Sequence, residues 1–177
     1  SVKRWVRHLF ALGVVVGVTG CNLADEKKLS PPCPNFLLLA HAERMTKFSV
    51  GPGRDVTDVN FSTKITNFQG SCDHTSSGIE TDLFVEFSVQ RGPANRSREA
   101  SFEYFVAIPR FHPAPAGKKI LPITVKFEGN KKRLFYRDQI YLEIPLGDME
   151  VADNYDVYIG FQLTNKQLEF NRRRPTR

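Results

Sequence analysis

Apolar and polar residues alternate with a period of two along much of the chain after residue 32. In the clearest stretch, 79–89, every second position carries one of a mainly apolar series: Ile79, Thr81, Leu83, Val85, Phe87 and Val89. Successive side chains of a β-strand point to opposite faces, so this pattern predicts a strand with one buried face. The same alternation recurs at residues 59–65, 102–108, 123–127, 140–144 and 155–163.

Shorter segments at residues 36–39, 47–50 and 133–136 bring the predicted total to about eight or nine strands. Turn-forming glycines and prolines separate them, and only residues 37–46 could form a turn of helix. Strands without intervening helices cover their apolar faces by stacking in two sheets. We therefore predict an all-β fold, an antiparallel two-sheet sandwich of immunoglobulin-like type, with a small β-barrel as the alternative.

The first twenty residues have the composition of an export signal. The cations Lys3, Arg4 and Arg7 precede an uncharged apolar run at residues 9–18. A run of about ten residues is too short for a transmembrane helix, which needs roughly twenty. We expect a secretory signal peptide rather than a permanent membrane span.

The apolar run ends in Val18-Thr19-Gly20-Cys21, which resembles the lipobox of bacterial lipoproteins. This resemblance implies cleavage between Gly20 and Cys21, a diacylglycerol thioether on Cys21 and an N-acyl chain such as palmitate. Two or three acyl chains form a lasting anchor, where one chain is marginal. Asn22, and not an aspartate, follows this cysteine. That arrangement resembles the outer-membrane state of the enterobacterial sorting rule, so it implies the outer membrane rather than the inner membrane.

Further motifs resemble a group of small uncharacterised lipoproteins from alphaproteobacteria. They are the Cys33-Pro34-Asn35-Phe36 segment, the Arg91-Gly92-Pro93 turn, and residues 105–109 and 160–174. The resemblance implies an envelope location facing the periplasm, and it assigns no chemistry.

These features divide the chain into four parts. Residues 1–20 are the predicted signal peptide, 21–32 the lipidated start and tether, 33–171 the sandwich domain and 172–177 a basic tail. The tether after Cys21 is polar and rich in proline at its end, and its eleven residues span no more than about 36 Å. The domain is long enough to bury a core of its own.

With Cys21 lipidated, Cys33 and Cys72 remain as an even pair. Disulfides persist in an oxidising compartment, so we predict a structural Cys33–Cys72 bond joining the start of the domain to a loop after a strand at residues 60–68. A redox or zinc pair would need closer cysteines or histidines at ligand spacing, which the sequence lacks.

Charge excludes one class of partner. The net charge of +6 falls to about +3 without the three signal-segment cations, and to about −1 without the four arginines of residues 172–177. A nucleic-acid-binding domain needs a basic stripe on its folded surface. We expect no nucleic-acid partner, whereas the arginine tail could pair with lipid phosphates or simply act as a solubilising end.

Catalytic and metal signatures are weak. After the signal, His41, His74 and His112 stand outside any nucleophile motif, and His74 is expected on a surface loop. Oxygen donors suited to calcium crowd the loop with Asp148, Glu150 and Asp153, and also residues 55–58, but without EF-hand spacing. We predict no enzyme, no cofactor and no metal, with these acids as weak metal candidates.

Aromatic residues suggest a binding face instead. Phe84, Phe105 and Tyr158 each interrupt the polar face of a predicted strand. If the three strands adjoin in one sheet, these side chains form an aromatic patch of the kind that marks interaction sites; the alternative is that a loop or the final segment covers them. The function expected is a lipid-anchored, non-catalytic protein-binding or assembly component; a small-ligand or calcium-binding module is the alternative, and an enzyme comes third.

Processing at Cys21 can be measured directly. Mass spectrometry of the native protein should find a chain that begins at residue 21 and carries acyl chains on that cysteine. An unprocessed start, or a free thiol at Cys21, would remove the predicted anchor and location.

Overall fold

The structure is a computed structural model that describes residues 32–147 and 152–174. The predicted signal peptide, the cleavage site at Gly20 and Cys21, and nearly all of the tether lie outside these residues. So do Asp148 and Glu150 of the proposed calcium loop, and the last three residues of the chain.

The described chain forms eight β-strands and one α-helix. The strands are β1 (Asn35–Leu38), β2 (Arg44–Phe48), β3 (Val59–His74), β4 (Gly78–Arg91), β5 (Glu99–Ala107), β6 (Lys118–Lys126), β7 (Arg133–Pro145) and β8 (Asp156–Phe161), and the helix is α1 (Asn165–Arg172). Sheet I has the strand order β1-β8-β5-β6, and sheet II has the order β2-β3-β4-β7. Hairpins join β2 to β3, β3 to β4 and β5 to β6, and every other connection between consecutive strands crosses from one sheet to the other.

The two-sheet sandwich is confirmed, and the small-barrel alternative is wrong because the eight strands form two separate sheets of four. The antiparallel prediction needs one correction: β1 runs parallel to β8 along residues 35–38. The first and last strands of sheet I along the chain, β1 and β8, therefore run in the same direction. The other five strand pairs are antiparallel.

Two predicted strands, at 133–136 and 140–144, are a single strand, β7. They looked separate because the inward position between the apolar residues Tyr136 and Ile140 carries Asp138, which breaks the apolar series. The Tyr104 hydroxyl on β5 donates a hydrogen bond to Asp138 Oδ2 at 2.6 Å. A partly buried acceptor with a partner costs far less than an unpaired one, so β7 continues through this residue.

Aromatic rings hold the two sheets together. Leu83, Val85, Phe87 and Val89 of β4 are fully buried. The ring of Phe87, in sheet II, lies 5.0 to 5.7 Å from three rings of sheet I, those of Phe102, Tyr104 and Phe161. Edge-on and tilted ring pairs at such distances are favourable beyond the area they bury.

The predicted disulfide is present, with a Cα–Cα distance of 5.7 Å between Cys33 and Cys72. Cys72 does not lie in a loop after a strand ending near residue 68, because β3 continues to His74, which pairs with Ile79 of β4. The bond therefore joins Cys33, two residues before the start of β1 in sheet I, to the long strand β3 of sheet II. Next to it, the ring of Phe36 packs so closely on Gly70 that a Cβ there would lie 2.2 Å from the ring.

Helix α1 was missed, and the helix turn considered at residues 37–46 is wrong, since that segment contains β1, a turn and the start of β2. Thr164 caps α1: its hydroxyl accepts from Gln167 N, and the Gln167 side chain accepts from Thr164 N. The helix rests against β2 through Asn171, which is 2% exposed and whose Nδ2 donates to the carbonyls of His41 at 2.8 Å and Arg44 at 2.7 Å.

The central role of the aromatic cluster can be measured by unfolding. Phe87→Ala should lower the free energy of unfolding by about 3–5 kcal/mol, because it removes contacts to both sheets and leaves a cavity. Phe135→Ala is the matched control, since Phe135 is 74% exposed on β7; it should change that free energy by less than about 0.5 kcal/mol. Urea denaturation followed by circular dichroism measures both, and equal effects would contradict this account of the core.

Candidate functional site

The three aromatic residues proposed as one face do not share a sheet. Phe84 lies on β4 of sheet II, whereas Phe105 and Tyr158 lie on the adjacent strands β5 and β8 of sheet I. The prediction of a face common to all three is therefore wrong. Periodicity assigns a residue to a face of its own strand, but not to a sheet.

Phe105 and Tyr158 nevertheless belong to an apolar area, the sheet I patch, on the outer face of sheet I. Register places Leu37 beside Tyr158, Tyr158 beside Ala107, and Phe105 beside Ile120. Because side chains alternate along a strand and Val157, Ile159, Tyr104 and Val106 point into the core, these residues point outward. The patch consists of Leu37, Leu39, Phe105, Ala107, Ile120 and Tyr158.

Phe105 forms the floor of this patch. It is only 7% exposed, and the Lys118 ammonium lies 4.5 Å from its ring centroid. Its ring packs over Gly160, where an added Cβ would approach Phe105 Cζ to 3.1 Å and Ala42 Cβ to 2.9 Å. The exposed part of the patch is aliphatic: Leu37, Leu39 and Ile120 are 38%, 41% and 47% exposed.

The outer face of sheet II has a different character around Phe84. The Arg137 guanidinium lies 5.5 Å from the Phe84 ring centroid and also pairs with the Glu86 carboxylate. Its hydrogen bonds hold the pKa of Glu86 below its ordinary value. Phe84 is thus half-buried beneath an ion pair, and the neighbouring Gln139 Nε2 donates to Asp82 at 2.9 Å.

The acidic metal candidates that the structure describes lie in or cap short 3-10 turns. Asp153 lies in a short 3-10 turn and is exposed, and its backbone carbonyl accepts from Asn35 Nδ2 at 2.9 Å. Asp55 and Asp58 form a capping box on another such turn, with Asp58 Oδ2 accepting from Asp55 N at 3.0 Å. Within residues 32–147 and 152–174, no three His, Cys, Asp or Glu side chains form a group that could hold a metal ion.

His74 ends β3 instead of lying in a loop, and its side chain is exposed as expected. His41 and His112 are exposed as well. Within residues 32–147 and 152–174, no serine, threonine or cysteine side chain is hydrogen-bonded to any of these three imidazoles.

A hydrogen bond between a buried tyrosine and a partly buried aspartate links the sheets. Tyr104 is fully buried on β5, and its hydroxyl donates to Asp138 on β7. Burial, the hydrogen bond to Asp138 and the charge of that carboxylate together raise the pKa of Tyr104 well above its ordinary value. The pair is a structural link: the tyrosine stays protonated, so it acts as a fixed donor to the carboxylate.

Surface cavities could not be predicted, because residues far apart in the chain form them. One cavity, with a volume of about 430 Å³, lies between β2 and α1. We call it the β2–α1 groove; its lining includes Lys47, Phe48, Arg54, Lys166, Phe170 and Arg173. The sequence offered one signal, the Thr164-x-x-Gln167 capping box, which marks the start of the helix that forms one wall.

Comparisons with protein families, curated proteins and solved structures found no match for the chain. Among the described residues there is no helix with the length and apolar character needed to cross a bilayer. Any functional statement therefore depends on the residues of this chain.

The Tyr104–Asp138 pair predicts a dependence of stability on alkaline pH. The folded phenol keeps its proton, and the unfolded phenol releases it above about pH 10, so the stabilisation is complete below that pH and is lost as the pH rises further. Between about pH 9 and pH 11 the free energy of unfolding should fall by about 1.4 kcal/mol in total for this one group, most of it above pH 10. Tyr104→Phe should remove that part of the slope, whereas Tyr141→Phe, at a side chain 70% exposed, should leave it unchanged. Urea titrations between about pH 9 and pH 11 measure the slopes, and identical slopes in all three proteins would refute the assignment.

Proposed function

We propose that the protein is a lipid-anchored component of the cell envelope that faces the periplasm and binds another envelope protein without catalysing a reaction. The lipobox-like Val18-Thr19-Gly20-Cys21 sequence supports the anchor and the location. The Cys33–Cys72 disulfide agrees with an oxidising compartment.

The sheet I patch is the observation that carries the binding role. Seven large hydrophobic side chains are exposed in the described chain, and Leu37, Leu39 and Ile120 of this patch are three of them. The buried Phe105 and the half-buried Tyr158 lie between them on the same outer face of sheet I. Soluble monomers rarely leave a large contiguous apolar area open to water, and such areas mark interaction sites.

The patch also lies on the strand that follows the tether. Leu37 is on β1, which begins at Asn35, two residues after the disulfide-bonded Cys33. If Cys21 carries the lipid, the tether limits the distance of this strand from the bilayer to about 36 Å. A partner that meets the patch would then be a protein close to the same membrane.

A second candidate function is that of a small-ligand-binding module, and the β2–α1 groove favours it. Its volume of about 430 Å³ is within the range of ligand pockets, and so are the volumes of three other grooves on the described surface. The β2–α1 groove has in addition an edge-to-face pair of phenylalanine rings, Phe48 and Phe170. This candidate is compatible with the first, because the groove and the sheet I patch have no lining residue in common.

Crosslinking in cells tests the binding role. A photo-crosslinking amino acid at position 120 should give one discrete protein adduct, and the same amino acid at position 135 of sheet II should not. Phe135 is the matched control because it is 74% exposed. Leu37→Asp, in the protein labelled at position 120, should abolish the adduct while the free energy of unfolding changes by less than about 0.5 kcal/mol. An adduct that survives Leu37→Asp, or equal labelling from position 135, would reject the sheet I patch as the interface.

A further inference from the structure

The β2–α1 groove has an aromatic base. The rings of Phe48 on β2 and Phe170 on α1 meet edge to face, with centroids 5.3 Å apart. The Arg54 guanidinium lies 5.3 Å from the Phe48 centroid, and the Arg174 guanidinium lies 4.5 Å from the Phe170 centroid. The groove therefore combines an apolar base with cations placed directly against it.

Positive charge in the groove exceeds negative charge. Its lining has four cations, Lys47, Arg54, Lys166 and Arg173, and a single carboxylate, that of Glu169. Glu169 pairs with Arg173 at 3.4 Å. In the described part of the chain, Lys47, Arg54 and Lys166 have no carboxylate partner, so the lining carries a net positive charge. The Lys47 ammonium lies 5.7 Å from the centroid of the Phe61 ring.

Backbone carbonyls hold the Arg54 guanidinium in place. Its Nη1 donates to the carbonyls of Gly51, at 2.9 Å, and Gly53. These bonds fix the guanidinium, while no described residue accepts from its Nη2 or Nε. An arginine with two fixed donors directed away from its support suits the planar, two-oxygen contact that phosphates and carboxylates make.

We propose that the β2–α1 groove binds the phosphate group of an anionic phospholipid. Lys47, Arg54 and Lys166 pair with the phosphate, and the base formed by Phe48 and Phe170 contacts the glycerol and the start of the acyl chains. A free phosphate ion would use the cations alone and leave the aromatic base and most of the 430 Å³ cavity without a partner. Two further cations, Arg172 at the end of α1 and Arg174 just after it, extend the basic surface beyond the groove lining.

This inference rests on the proposed envelope location, because only there does the domain face a lipid leaflet. Binding at the groove would turn one edge of the sandwich toward the bilayer. The sheet I patch, which shares no residue with the groove, would remain available for a protein partner.

Hydrogen exchange of the full chain in nanodiscs tests the proposal. Nanodiscs of phosphatidylcholine alone are compared with nanodiscs that also contain phosphatidylglycerol. The amides of residues 44–49 and 165–172 should exchange more slowly in the phosphatidylglycerol nanodiscs. Lys47→Gln/Arg54→Gln/Lys166→Gln should abolish this protection, since each charge near an anionic surface changes affinity about fivefold, and three change it on the order of 100-fold.

The matched control is Lys119→Gln/Lys131→Gln/Lys132→Gln, which removes three exposed cations outside the groove. This control variant should keep the slower exchange of the groove amides. If the protection is lost in the control variant as well, general surface charge explains the binding and the proposal is overturned. Inorganic phosphate added to phosphatidylcholine nanodiscs should give no protection; equal protection would identify free phosphate, not lipid, as the ligand. No difference between the two nanodiscs also refutes the site. Mass spectrometry of the native protein reports separately whether Cys21 carries acyl chains. A missing lipid anchor and an unoccupied groove are therefore distinguishable results.

Discussion

The contact between Phe87 and the rings of Phe102, Tyr104 and Phe161 is the interaction on which the rest of the structure depends. It is where sheet II meets sheet I, and it lies at the centre of the alternating pattern of β4. Since this core holds the two sheets face to face, their outer faces are left to carry different surfaces. Sheet I presents aliphatic side chains around Phe105, and sheet II presents polar and paired charged groups around Phe84.

The two proposed binding surfaces differ in the physics they would use. The sheet I patch is shallow and apolar, so any partner would gain mainly from removing hydrocarbon from water. The β2–α1 groove would gain from charge at a partly enclosed aromatic surface, an interaction that salt weakens. A component that uses both would be held to its membrane at one edge and to a protein at one face. Added salt would weaken the first contact much more than the second.

Most of the strands could be predicted from the sequence because side-chain alternation is a local property. The same reasoning split β7 in two, because Asp138 occupies an inward position whose partner, Tyr104, comes from another strand. It placed Phe84 with Phe105 and Tyr158 because sheet membership depends on pairing between distant segments. Helix α1 escaped notice because its own residues are mostly polar, and it is held in place by Asn171 reaching backbone carbonyls more than a hundred residues earlier. The β2–α1 groove could not be predicted for the same reason, because its two walls lie more than a hundred residues apart in the chain.

The position of the disulfide determines how the domain would carry mechanical load. Tension on the chain before residue 33 reaches Cys33 first and passes through the sulfurs to Cys72, so it bypasses the four-residue strand β1. It enters β3, a sixteen-residue strand with hydrogen-bonded neighbours on both sides. A pull from a moving membrane would therefore be borne first by the longest strand of the fold, while the short parallel strand β1 stays in register.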